Sequence, residues 1–569
     1  MRRSSFFLAV ILSTILSARP ALAEDNGVAL SPPMGWSSWS FVREHPTEQN
    51  IEAQADALKS TGLSAHGYQY VNIDDFYYLD PAKTVDDFGR WVIDAKKFPH
   101  GMAPVAEHVH ALGLKFGMYM TPGIPVAAYK RNTPIEGTNY HAQDIVLKPL
   151  KFATNYNNSL GADNGHVMYR IDFSKPGAQE FLNSWARMLA SDGIDYLKLD
   201  GIGDSTIADI AGWSKALRSS GRPIHFELSN SLDPARGDVW RRLANGWRIS
   251  GDVEAYGGRG SFPLTRWSKV YSRFIMEPKF TRWAGPGGWN DLDSLEIGNG
   301  SDDGINPNER LSAATLWAIS CSPLFLGTDL TRFDKGDMPF LTNEEVLAVN
   351  QKGRAGAPLT YNTPLQTWRA LEPDGTYAVA LFNTGKQPAS VGVTWAQLGF
   401  AGGATVRDLW THKDLGKMAD GFNDTVDIHA ARLLRVTPEM PVTRYLADSP
   451  DCVMGGGAVL RDQRVASHGV IAGNLGKSGS LTFNQVHVPT AGTYKVTFLY
   501  MDGDAGRSAQ VAIDGGAPAT IQFPGTGSWD TTGSLTASLV LKAGANAIAI
   551  TNPQAYAPDI DSIVIQAWK

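Results

Sequence analysis

Cysteine is scarce: two residues, Cys321 and Cys452, in a chain of 569. So few thiols build neither a disulfide scaffold nor a thiolate metal centre, and their distance apart predicts two unpaired thiols in different domains. No CxxC or HExxH arrangement occurs and the 12 histidines are scattered, so the common zinc signatures are missing. Positive charge is also in deficit. With 51 Lys and Arg against 57 Asp and Glu, the formal net charge is -6, which provides no field to hold nucleic acid or an anionic membrane. Beyond the N-terminus no apolar run reaches the roughly 18 residues that span a bilayer. No GxGxxG follows the first candidate strand, which removes the usual dinucleotide cradle.

What is present begins with "MRRSSFFLAVILSTILSARPALAEDNG", where two arginines precede an apolar run from Phe6 to Leu16 and "ALA" ends at Ala23. This pattern predicts a signal peptide over 1–23 and an exported protein, periplasmic or extracellular. The remaining length is too great for one core. Sixteen Trp and 18 Tyr supply flat amphipathic rings suited to ligands with one apolar face, sugars among them.

From residue 33 to about 330, short apolar runs alternate with helical patterns, the signature of βα units around a parallel sheet. Eight candidate strands fall at 34–39, 68–75, 115–120, 196–202, 224–229, 247–252, 288–293 and 323–328. Segments such as "EQNIEAQADALKSTG" and "KPGAQEFLNSWARMLASDG" between them are apolar on one face and end in a glycine suited to a helix C-terminus. Eight such units predict a (β/α)8 barrel, taken here as residues 24–350. The stretch from Thr121 to about Arg170 has no clear periodicity and is expected to be a long loop on the barrel's C-terminal face, a wall or lid. Alternating runs such as "YAVALFN" and "RLLRVT" predict an antiparallel β-sandwich over 351–440, and "SLTFNQVHV", "TYKVTFLYM" and "AIAIT" a second β-sandwich over 443–569.

In a parallel barrel the ligand site gathers where the strands end. By that rule Asp74, Asp75, Lys198, Asp200, Glu227, Arg248, Asp252, Asp291 and Asp293 converge on one mouth, with Trp36 and Trp39 beside them. Carboxylates accept bonds from hydroxyls while Lys and Arg donate to oxygens, which suits a neutral polyhydroxylated substrate. Two of the carboxylates have the roles needed for glycoside hydrolysis. A magnesium-assisted barrel enzyme, a noncatalytic sugar receptor and structural ion pairs remain as alternatives at this point.

The motifs "PPMGWSSWSF", "GYQYVNIDDFYY", "DYLKLDGIGD", "WRISGDVE", "GPGGWNDLDSLEIGNG" and "SPLFLGTDL" resemble, in order, the signatures of glycoside hydrolase family 27, the α-galactosidase clan. "YAVALFN", "RDLW" and "HAARLLRV" resemble the β-sandwich that follows the barrel in that family. The resemblance implies a retaining hydrolase without metal or cofactor, Asp200 as nucleophile and Asp252 as acid/base, the two carboxyl groups roughly 5 to 5.5 Å apart. It also implies substrate contacts from Asp74 and Asp75 to the 4- and 6-hydroxyl region, from Lys198 to the 3- and 4-hydroxyls, and from Glu227 to the 2-hydroxyl, with Trp36 as platform. Lys198 and Arg248 are expected to keep Asp200 ionised, while Asp252, crowded by carboxylates, is expected to retain its proton. Ile202, "LSNSLD" after Glu227 and the 121–170 loop depart from the familiar galactosidases. These departures bear on the substrate, an α-galactoside or another α-linked oligo- or polysaccharide, and leave isomaltose-releasing dextranases and β-L-arabinopyranosidases as relatives sharing the catalytic pair. "VPTAGTYKVTFLY", "LKAGANAIAIT" and "PDIDSIVIQ" resemble a family 35 carbohydrate-binding module, with Trp529 and Tyr556 as candidate stacking residues.

Overall fold

A computed structural model describes residues 26–153, 166–256 and 261–567, so the expected leader lies outside the described residues. Eight parallel strands form the first unit: β1 (Met34–Ser37), β2 (Tyr70–Asn72), β3 (Lys115–Met120), β4 (Tyr196–Leu199), β5 (His225–Leu228), β6 (Gly246–Arg248), β7 (Trp289–Asp291) and β8 (Leu324–Leu326). They pair in the order β8-β1-β2-β3-β4-β5-β6-β7, and a parallel bridge between Leu295 and Leu326 joins the two ends, so the sheet closes on itself. Every strand but β3, which matches its pattern at Lys115–Met120, is shorter than its sequence pattern, because the residues that follow turn outward to supply the mouth.

The helices follow their patterns. Helix α1 (Glu48–Ser60) starts at Thr47, whose hydroxyl accepts from Asn50 N while Asn50 caps Thr47 N in return. Helix α2 (Ala178–Ser191) buries Phe181, Leu182, Trp185 and Leu189, one stripe at helical spacing. The chain leaves these two helices through Gly62 and Gly193, both at positive φ (90° and 83°), which L side chains adopt only at a cost.

The 121–170 segment is less featureless than its sequence. Ile124–Pro125 pairs with Met168–Tyr169, short helices occupy Val126–Arg131 and Ala142–Ile145, and residues 154–165 lie outside the described ones. Arg170 donates to Ser205 O, placing this segment beside the loop that follows β4 and Asp200.

A six-stranded antiparallel sheet and a separate two-stranded ribbon make the middle sandwich. Its strands include Leu365–Leu371, Tyr377–Asn383 and Ala431–Pro438, and its Trp368 and Phe382 pack on Phe274 of the barrel within one apolar core. The last unit packs two sheets around Phe483, Val496, Phe498, Ile550 and Ile563. Its seam with the middle sandwich buries Val564 in the sandwich core and, beside it, a polar set. Arg369 donates to Ala357 O, Pro358 O and Val465 O and faces Asp561 at 3.8 Å, while Asp561 accepts from Ser467 N and Oγ. Cys321 is buried in the barrel and Cys452 half-buried in the last unit, and both are free.

Candidate active site

The strand ends do converge. Asp74, Lys198, Glu227, Arg248, Asp291 and Asp293 line one cavity at the top of the barrel interior. Asp74 and Asp75 leave β2 in a tight turn: Ser38 Oγ accepts from Asp74 N, Asp74 Oδ1 from Asp75 N, and Asp75 Oδ1 from Phe76 N. Phe76 is left-handed (φ 72°), a strained state for an aromatic residue, and Lys97 Nζ holds its carbonyl at 2.6 Å. Asp74 lines the cavity, while Asp75 is buried beside it. Lys198 Nζ donates to Asp74 Oδ2 at 2.8 Å, and the Tyr78 hydroxyl to Asp75 Oδ1 at 2.5 Å. Burial pushes Asp75 up to about 7 against the pull of that hydroxyl, and burial also raises Asp74 although Lys198 opposes it.

Asp200 follows β4 and its N donates to Met120 O at 2.8 Å. The Tyr119 hydroxyl is its hydrogen-bond partner, and Tyr119 is held in turn as its carbonyl accepts from Tyr77 Oη at 2.6 Å. Glu227 on β5 is buried, paired with His225 Nε2 at 3.0 Å, and a Cβ at Gly246 would collide with its carboxylate, so glycine there makes its room. Burial raises the Glu227 carboxyl well above the usual range and lowers His225 to about 3, leaving both neutral together.

Arg248 hydrogen-bonds Asp252, with Nη2 2.7 Å from Asp252 Oδ1, and its Nη1 faces Asp293 Oδ2 at 3.4 Å, while its charge also interacts with Asp200. Two expectations need correction. The Tyr256 hydroxyl donates to Asp252 Oδ2 at 2.6 Å. Burial favours a protonated Asp252, but Arg248, the Tyr256 hydroxyl and Lys198 outweigh it and hold the group below its ordinary value. Asp252 is therefore the carboxylate in this state, not the retained acid expected from crowding. Trp36, the expected platform, is completely buried, with Nε1 donating to Thr328 O at 2.7 Å, and presents no open face because β1 turns it into the barrel wall. The aromatic surface at the mouth is instead Trp39, whose Nε1 donates to the Tyr256 hydroxyl at 2.7 Å and whose ring stacks on Phe76.

Sequence reasoning missed Tyr119, Tyr256 and Glu254. Tyr119 sits on β3 as the register partner of Lys198, and the end-of-strand rule applied to aromatic residues finds it. Tyr256 and Glu254 belong to a loop whose path the sequence does not set.

The family description alpha galactosidase A matches residues 31–165 and 157–352, the alpha galactosidase C-terminal beta sandwich domain matches 362–436, and a carbohydrate binding module of family 6 matches 452–567, where family 35 was expected. The α-galactosidase of Cyamopsis tetragonoloba is 32% identical over 432 residues, 74% of this chain and 90% of that protein. A family 27 β-L-arabinopyranosidase from Geobacillus stearothermophilus has a TM-score of 0.64 at 29% identity, covering 72% of this chain and 97% of that one. The isomalto-dextranase of Arthrobacter globiformis T6 shares the fold across 96% of this chain and 99% of its own, at a TM-score of 0.63 and 22% identity. The chain belongs to the α-galactosidase family, glycoside hydrolase family 27, and is a glycosidase carrying a β-sandwich and a C-terminal carbohydrate-binding module.

Proposed function

We propose that the protein is an exported, retaining α-galactosidase that removes terminal α-linked galactose from oligo- or polysaccharides. The observation that carries this reading is the corner made by Asp74, Asp75 and Lys198 beside Asp200, within a chain whose relatives at 30–32% identity are named α-galactosidases. An axial 4-hydroxyl entering that corner meets two carboxyl groups and an ammonium, and a sugar without it leaves buried polar groups unpaired. Glu227 supplies a fixed partner for the 2-hydroxyl.

In the first step Asp200 attacks the anomeric carbon. The carbon–oxygen bond to the leaving group breaks as Asp252 gives that oxygen a proton. In the second step Asp252 takes a proton from water, the water oxygen attacks the anomeric carbon, and Asp200 leaves. Tyr119 orients Asp200, and Arg248 stabilises the carboxylate that Asp252 becomes on giving up its proton, the form that the second step needs. Residues 1–23 direct export, and the appended module retains the enzyme on a glycan through the exposed Trp529 and Tyr556.

A second reading is favoured by the Geobacillus structure: β-L-arabinopyranose has the ring configuration of α-galactose without the hydroxymethyl group, so the same corner can hold it. The test is hydrolysis of p-nitrophenyl α-D-galactopyranoside, p-nitrophenyl β-L-arabinopyranoside and dextran side by side, with the anomer of the released sugar followed by NMR. Galactose released as the α-anomer supports the proposal. Preference for the arabinoside moves the substrate, isomaltose from dextran alone rejects the galactose corner, and an inverted anomer rejects the double displacement.

A further inference from the structure

A pair of buried acids lies behind Asp252 and takes no part in the hydrolytic steps above. Glu254, two residues on, is 1% exposed; its Oε1 accepts from Ser40 Oγ at 2.7 Å, and its Oε2 has no hydrogen-bond partner among the described residues. Glu296, 2% exposed, reaches the same place from the loop after β7, and its carboxyl has the Ser40 hydroxyl as its hydrogen-bonding neighbour. Ser40 Oγ and Glu296 Oε1 border the same point beside Gly327. Ser40 has one hydroxyl proton, and it is given to Glu254.

The nearby cations are committed elsewhere. Arg248 bonds Asp252 and faces Asp293, and Arg273 donates to Leu292 O, Lys269 O and Gly251 O while also facing Asp293. Two carboxylates buried around one hydroxyl, without a cation in hydrogen-bond contact, would each leave charge unpaired at a cost of several kcal/mol. Protons remove that cost: a proton on Glu296 has the Ser40 oxygen as its acceptor. Carboxyl oxygens of Asp252, Glu254 and Asp293 come within 4.8 Å of one another, a span that one water molecule bridges, so an acid that holds a proton stands one relay from the carboxylate that must acquire one.

We propose that Glu254 and Asp252 share one proton, with Glu254 as the positioning residue that stores it in the resting enzyme and Ser40 and Glu296 as the buried partners that keep it there. The transfer is balanced within the pair: the proton leaves the Glu254 carboxyl and joins the Asp252 carboxylate, so Glu254 becomes the anion and Asp252 the loaded acid. The groups facing Glu254 are Asp252, Asp293, Arg248 and Tyr256 around the mouth, Arg273 from the following helix, and Glu296 with Asp303 behind it. Burial, reinforced by Asp293 and Asp252, pushes Glu254 up to about 7, whereas Asp252 is held low, the order that sharing requires. The inference rests on the acid/base role given to Asp252. It makes the apparent pKa of the catalytic acid a property of the pair.

The test is the pH profile of kcat/KM for Glu254→Gln, Glu254→Asp and Asp252→Asn, with the infrared carbonyl band of protonated carboxyls recorded on wild type and Glu254→Gln. With Gln at 254, Asp252 loses the neighbour whose negative charge helps it hold a proton. The alkaline limb is expected to move down by about one pH unit, a tenfold loss at neutral pH, with activity restored on the acid side. Glu254→Asp should recover part of that shift. At about pH 6, well above the ordinary carboxyl range, wild type should retain a protonated-carboxyl band that Glu254→Gln diminishes. A superimposable profile, a loss equal at every pH, or the absence of that band overturns the inference. If Asp252→Asn keeps the wild-type alkaline limb, the acid role of Asp252 is what has failed, and the infrared band still reports whether Glu254 stores a proton.

Discussion

Replacing Lys198 with Met removes the ammonium 2.8 Å from Asp74 Oδ2, where the lysine side chain is 19% exposed and the aspartate 4%. Breaking a buried pair by deleting one partner costs about 3–5 kcal/mol when the other charge has no escape. Asp74 has one, because it can take up a proton. With Lys198 gone, burial and the charge of Asp200 still raise its pKa, while the charge and hydrogen bond that opposed them are lost. A carboxyl whose folded value lies above its unfolded value binds more protons in the folded state, so stability falls as pH rises between the two. The variant should lose about 1 kcal/mol at pH 5 and about 3 kcal/mol at pH 7.5. At about 2 °C per kcal/mol for a unit of this size, the barrel's unfolding midpoint falls by about 2 °C and about 6 °C respectively. The assay is tryptophan-monitored thermal unfolding at the two pH values, for Lys198→Met, Asp74→Asn and the double variant. The double variant should recover to within about 1 kcal/mol of wild type, since no charge is then buried alone. A loss that does not depend on pH, or a double variant no more stable than Lys198→Met, refutes the reasoning.

Asp200→Asn should abolish turnover while sugar affinity, measured by calorimetry, stays within a few-fold; substantial hydrolysis by the purified variant would contradict the nucleophile assignment. Tyr256→Phe removes a donor to the charged form of Asp252. The Asp252 proton is then kept to higher pH, so the alkaline limb of kcat/KM should move up by about half a unit, opposite in direction to Glu254→Gln. Exhaustive chelation should leave hydrolysis of the p-nitrophenyl galactoside unchanged, and recovery of a chelated, inactive enzyme by magnesium would return the metal-assisted barrel to consideration.

What could be read from the chain was whatever local rules control. All eight barrel strands appear where apolar runs meet turn signals, and the charges at their ends converge because parallel strands share one direction. Strands without that signature were invisible. Lys413–Met418 is mostly polar and exposed, Gly421–Val426 is mostly polar and only half-buried, and Val459–Asp462 is exposed along its whole length. In the site, charge type and position could be read but pairing could not. Arg248 is four residues from Asp252 in sequence, yet only the turn after β6 determines that it hydrogen-bonds that carboxylate. The burial of Trp36 has the same origin: the motif places an indole at the mouth, and the pleat of β1 decides which way it faces.

The buried seam built from Arg369, Asp561 and Ser467 limits what the appended module can do. A module on a flexible linker lets its enzyme sweep an area of surface from a single anchoring point. Here Arg369 spans the junction with four backbone or hydroxyl acceptors, and Gln566 and Ala401 exchange two further bonds, so no tether is left to swing. If Trp529 and Tyr556 hold a glycan as proposed, the barrel mouth has a fixed height and bearing relative to that strand. Such an enzyme works like a plane with its blade set in the body: it advances only by letting go, and it cuts only the branches that the angle of the blade presents.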